Sequence, residues 1–149
     1  MTTNLAHKAG VEFAVAEIEA AKPCPKPKHK KSERKQLEDE LDRLTSLYVR
    51  KRDVFCVLCG KPVECAMHWV KRGKKQLRWD LRNVNGGCDS CNFKDNNWHE
   101  PYTAYMIRTY GNDVVLELIE LSSAKKWKWS VLDLREMLAD MRQRLEDLG

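Results

Sequence analysis

Apolar residues recur at three- and four-residue spacings along much of the chain, which is the pattern of helices with one buried face. From Gln36 to Arg52, Leu37, Leu41, Leu44 and Tyr48 fall on one face, with Arg43 at its side and Arg50, Lys51 and Arg52 at its end. Pro101 opens another predicted helix, which carries Tyr105, Met106 and Ile107 and stops at Gly111. Asn112 or Asp113 caps the next, with Val114, Leu118 and Leu121 as its buried stripe. Ser130, followed three positions later by Asp133, opens a final helix through Val131, Leu134, Leu138, Met141 and Leu145. Trp127 and Trp129 precede it and are expected to serve core or inter-helix packing. Toward the N-terminus, Val11, Phe13, Val15 and Ile18 allow a short helix within residues 3–21. Pro23, Pro25 and Pro27 then mark a lysine-rich linker. The chain is thus expected to divide into an arm, residues 1–35, and a domain, residues 36–149.

The helical period breaks in the middle. The stretch "VFCVLCGKPVECAMHWV" is rich in Val, Phe and Trp and contains a Gly60-Lys61-Pro62 turn, so it reads as a cysteine knuckle leading into a strand. The loop "KRGKK" connects it to a second predicted strand around Gln76 to Trp79, making a hairpin. The fold class is therefore α+β and mostly helical.

Charge changes the picture more than composition does. Of 149 residues, 33% are charged and 42% hydrophobic, as in a soluble domain, and the net charge is +5. Residues 22–82 carry 18 Lys and Arg against 8 Asp and Glu, whereas residues 83–149 carry 8 against 11. Such a gradient suits a polyanionic partner, with a solvated basic linker as the alternative for the stretch around "KPCPKPKHKKSERK". Lys71, Arg72, Lys74, Lys75 and Arg78 fit phosphate contacts, and Gly73 lets their loop approach closely. No run reaches the roughly 18 apolar residues of a membrane span, and no secretory signal opens the chain, so the cytoplasm is the expected location and no membrane partner is expected.

Four of the six cysteines form two pairs, Cys56-x-x-Cys59 and Cys88-x-x-Cys91. In a chain without a secretory signal this spacing favours metal over disulfides. Four thiolates complete the tetrahedral set of a structural zinc site and leave no open position for water. Zinc would fix the 28 residues between Cys59 and Cys88 in one geometry. Cys24 and Cys65 read as spare buried thiols.

Within the zinc frame stands a single histidine, His68; Asn83 follows, and Asn92 lies directly after the last cysteine of the pairs. The order His, Asn, Asn, with the cysteines five and eight positions beyond Asn83, resembles the HNH or ββα-metal nuclease motif. This resemblance implies a zinc-braced ββα-metal core with flanking helices. An imidazole titrates near neutrality and suits the general base that deprotonates an attacking water. The resemblance further implies that Asn83 orients the His68 ring and that Asn92 helps hold magnesium or manganese against the phosphate. Asn96, one turn beyond Asn92, is a second candidate oxygen ligand, near Asp95.

With the flanks "LDRLTSLYVRKRD", "HWVKRGKKQLRWDLRNVNGGCDSCNFK" and "YGNDVVLELIEL", the chain resembles the NinG (Rap) recombination proteins of lambdoid phages across residues 37–145. That family implies a structure-selective, metal-dependent DNA endonuclease acting on Holliday junctions or D-loops in the host cytoplasm. A homodimer would match the symmetry of a junction, and a recombinase is a candidate partner. One departure stands out. The family reads Asp-Ala-Gly-His around the histidine, but here Cys65, Ala66 and Met67 precede His68, and Glu64 lies one place too early. The alternatives are a noncatalytic zinc-knuckle module that binds DNA or bridges a recombinase, and a nicking HNH endonuclease without junction preference.

Overall fold

Ser32 begins the first element, α1 (Glu33–Arg52): its hydroxyl accepts from the Lys35 N–H, Glu33 occupies the first turn, and Arg50, Lys51 and Arg52 occupy the last. Acid at the N-terminus and base at the C-terminus both oppose the helix dipole. The computed structural model describes residues 30–94, 97–125 and 127–149. The predicted arm helix, the proline linker, Cys24, Asp95 and Asn96 lie outside the described residues. Lys31–Gly149 make one compact unit.

After α1 come β1 (Cys65–His68), a 3₁₀ turn (Lys75–Leu77), β2 (Val84–Gly87), a π-helical turn (Ser90–Lys94), α2 (His99–Tyr110), α3 (Asn112–Ser123) and α4 (Val131–Asp147). The two strands pair antiparallel, with Cys65 opposite Gly87 and His68 opposite Val84. The second strand is therefore Val84–Gly87, not Gln76–Trp79. Leu77 and Trp79 alternate like strand residues, but the turn at Lys75–Leu77 sends them to different cores. The two strands are joined by the long segment 69–83, and Asn83 stands just before the second strand instead of following it.

Two apolar clusters organise the unit. Met67, Trp69 and Leu77 meet Tyr102 and Met106 of α2 and Val115 and Leu118 of α3. Leu41 and Leu44 of α1 meet Trp79 and Leu134, Leu138 and Met141 of α4. Partly buried Leu37, Tyr48 and Leu145 extend the second seam. Spacings of four, three and four on both helices make this a short parallel, coiled-coil-like pair. Its direction is fixed at the rim, where Glu33 pairs with Arg135 and Glu40 lies 4.0 Å from Arg142.

The caps agree with expectation at α4 and differ at α3. Ser130 and Asp133 form a reciprocal capping box. At α3, Gly111 is the cap instead of Asn112 or Asp113, because the chain reverses there at φ +88, a left-handed value that favours glycine. Val115 is buried beside Leu118, with Val114 and Leu121 only partly so. Trp129 packs on the α1–α4 cluster as expected, whereas Trp127 is 41% exposed.

A buried polar network ties the end of α1 to the sheet. Arg52 donates to Asp53, to the carbonyls of Leu81 and Val84, and to Asn85 Oδ1. Tyr110 also donates to Asn85 Oδ1 at 2.7 Å, and the Tyr102 hydroxyl donates to the Met67 carbonyl at 2.8 Å. Asp53 accepts from the Gly86 N–H at 2.7 Å, so close that a Cβ at position 86 would stand 2.7 Å from Asp53 Cβ and 2.8 Å from Val63 Cγ2. Gly86→Ala is therefore expected to cost about 1–3 kcal/mol in urea unfolding. Gly73→Ala, whose added methyl meets nothing within 4 Å, is expected to stay within about 0.5 kcal/mol.

Candidate functional site

Two knuckles bring the cysteine pairs together. The first closes by hydrogen bonds from the Cys56 N–H to the Lys61 carbonyl and from the Gly60 N–H to the Cys56 carbonyl, with Gly60 at φ +72. The second leads directly from β2 into the π-helical turn, where the Asn92 N–H donates to the Cys88 carbonyl at 3.0 Å. The sulfurs of Cys56, Cys59, Cys88 and Cys91 all lie within 4.8 Å of one another, and Cys59 and Cys88 are 3.5 Å apart. A zinc tetrahedron with bonds of about 2.3 Å has edges of roughly 3.8 Å, so the donor set and its size fit that ion.

Electrostatics point the same way. Burial pushes the Cys56 thiol up, but the N–H groups of Leu58, Cys59 and Cys88 outweigh it and hold it at about 7. Burial and the neighbouring Cys59 and Cys88 sulfurs push Cys91 far above the ordinary thiol range. Four thiolates in one small space repel, and a divalent cation at their centre removes the conflict. Cys65 stands apart: its thiol donates to the Gly87 carbonyl at 3.5 Å and its sulfur receives the Asn92 amide at 3.4 Å. Burial, then the charge of Asp89, raises its pKa, which keeps it a thiol.

His68 opens onto a cavity of about 170 Å³ beside this frame, shared with Asn92, Cys65, Asp42, Arg72 and Arg78. Its Nε2 lies 2.9 Å from the Arg78 carbonyl. A carbonyl only accepts, so Nε2 donates and the lone pair of the neutral ring is at Nδ1. Burial holds the ring below the ordinary imidazole range; the Arg78 carbonyl opposes this, and the charge of Arg72 adds to it.

The sequence suggested that Asn83 would orient the imidazole, but the Arg78 carbonyl makes that contact. Asn83 is fully buried and clamps the segment between the strands. Its Oδ1 accepts from the Val70 N–H at 2.7 Å, and its Nδ2 donates to the carbonyls of Val70 and Leu77. Asn83 thus shapes the loop that carries Arg72 and Arg78, while Asn92 lines the cavity itself.

Asp42, which sequence reasoning missed, closes one wall of the cavity from α1. It accepts from Arg72, from Arg78 Nε at 2.9 Å and from the Trp79 indole at 2.9 Å. Burial pushes its carboxyl up, yet the donors from Arg78, Trp79 and Arg72 prevail and lower its pKa. Thr45, one turn along α1, is 3% exposed and also lines the cavity; its Oγ1 has no partner among the described residues.

The five basic residues read from the sequence do not share one surface. Arg72 and Arg78 line the His68 cavity and are paired with Asp42, the Arg78 side chain being only 13% exposed. Lys74 and Lys75 line a separate groove, with Lys75 3.3 Å from Glu38, and Lys71 is exposed. Among the described residues, no helix is long and apolar enough to cross a membrane.

Comparison with known proteins adds relatives to this geometry. A family model described as Bacteriophage Lambda NinG protein matches residues 6–149. Protein ninG of Escherichia phage 933W is 31% identical over 103 residues, which cover 66% of this chain and 50% of that protein. Protein ninG of Salmonella phage P22 is 30% identical and that of Escherichia phage lambda 28%, with the same coverage. The chain spans about half the length of the curated relatives it matches. No solved structure matches.

Metal analysis checks the cysteine frame. The purified chain is expected to carry one zinc, and Cys88→Ser to lose both the zinc and cooperative unfolding. Cys65→Ser should retain both, since that sulfur lies outside the cluster.

Proposed function

The chain belongs to the NinG family, and on that premise we propose that it is an endonuclease that hydrolyses phosphodiester bonds in branched DNA. The observation that carries the reading is the His68 cavity. It combines an imidazole whose Nε2 is committed to the Arg78 carbonyl with two guanidinium groups. His68 Nδ1 takes a proton from water as the water attacks phosphorus, and the bond to the leaving sugar oxygen breaks. Arg72, whose side chain is 57% exposed, offsets charge on the phosphate at the cavity mouth. A ββα-metal assignment and a magnesium or manganese requirement come from the motif resemblance. Such an ion would act as a Lewis acid toward the phosphate. The described residues fit it poorly, because the cavity's carboxylate, Asp42, is taken up by Arg72, Arg78 and Trp79.

That same commitment of Asp42 favours a second reading, a zinc-braced module that binds branched DNA without cutting it. Incubation of the full chain with a four-way junction, with magnesium or manganese added, separates the two. Cutting is expected, and His68→Ala should lower it by about 10²-fold or more while zinc content and DNA affinity stay unchanged. Binding without any cutting would select the second reading, and wild-type rates in His68→Ala would remove the general-base role. Because His68 sits below the ordinary imidazole value of 6.5, the rate should hold at that pH and fall only under more acidic conditions.

A further inference from the structure

Beside the His68 cavity, the loop that carries Arg72 continues into a second concavity of about 550 Å³. One wall runs from Gly73 to Gln76, and the other from Ser123 through Lys125 to Trp127. We infer that this groove binds an unpaired DNA strand, with Lys74, Lys75 and Lys125 on its phosphates and Trp127 stacked on a base. The inference deepens the endonuclease reading by naming the single-stranded part of a branched substrate, and the binding it describes needs no cutting.

The composition of the groove fits that ligand. Three lysines face it and none of its described lining residues is acidic; Lys75 lies 3.3 Å from Glu38 yet its side chain is 45% exposed. The carbonyl end of α3 would disfavour an anion, but Gln76 Nε2 donates to the Leu121 carbonyl at 2.6 Å and the Ala124 N–H donates to it as well.

Trp127 is the second half of the site. Trp69 and Trp79 are each 4% exposed, whereas Trp127 is 41% exposed. Its ring is not left loose, because Trp129 meets it edge-on at 5.2 Å and 71°. Trp129 is in turn held by its indole N–H on the Lys75 carbonyl at 2.9 Å and by Arg34, which donates to the Trp129 carbonyl at 2.5 Å. An indole fixed at the edge of a basic groove offers a flat face at little entropic cost. In duplex DNA the base faces are already stacked on one another, so only an unpaired base can use it.

Fluorescence anisotropy of the full chain with labelled oligo(dT) and with a blunt duplex, at matched salt and without added magnesium, tests the assignment. Trp127→Ala should weaken oligo(dT) binding about tenfold, leave duplex binding within about twofold, and be rescued largely by Trp127→Phe. Lys125→Glu should also weaken oligo(dT) binding, and it serves as the independent variant should Trp127→Ala fail to fold by circular dichroism. Wild-type oligo(dT) affinity in a folded Trp127→Ala would overturn the assignment. So would equal losses on both DNAs, or competition by poly-glutamate as strong as by oligo(dT), which would mark a general polyanion surface. These arms involve no hydrolysis, so failure to cut a junction would sink the endonuclease reading alone, and failure here would leave His68-dependent cutting untouched.

Discussion

The convergence of four sulfurs governs this fold. Cys56 and Cys59 sit ahead of the first strand, Cys88 and Cys91 directly after the second, so their cluster closes the segment that carries His68, Asn83 and both cavity arginines. The sheet itself is only two strands of four residues, and β2 reads Val-Asn-Gly-Gly. So short a ladder is not stable alone in water. A bound ion that ties its two ends contributes directly to folding, because the unfolded chain has no such site.

Helix α1 supplies the other support, and does so with charge as well as apolar contact. Its leucines pair with those of α4, while Asp42 reaches across to Arg72, Arg78 and Trp79 and its last turn places Arg52 on the carbonyls of Leu81 and of Val84 at the start of β2. Arg78 therefore has two tasks: its side chain is held by Asp42, and its carbonyl holds the His68 ring. Rigid backing of this kind sets the ring's tautomer and direction before any substrate arrives.

Helix α4, the capping box at Ser130 and the two cysteine knuckles were legible in the sequence because each is a local signal: a period, a three-residue reciprocity, a fixed spacing. The second strand was not. After Val84 the strand has only poor strand formers, and its conformation follows from pairing with β1 and from the close approach of Asp53 to Gly86, neither of which is local. Asp42 was equally hidden. Along α1 it is one acid among several, and only the tertiary placement of the segment between the strands brings Arg72, Arg78 and Trp79 to it. Asn83, read from the sequence as orienting the His68 ring, instead has its amide on Val70 and Leu77. Trp127 defeated the reading because a tryptophan next to a helix start more often packs than projects.

Zinc-edge X-ray absorption on the purified full chain tests the frame most directly. Four sulfur neighbours at about 2.3 Å are expected, with no nitrogen or oxygen in the first shell. A shell containing nitrogen or oxygen, or a soluble, cooperatively folded chain that carries no metal at all, would contradict the account.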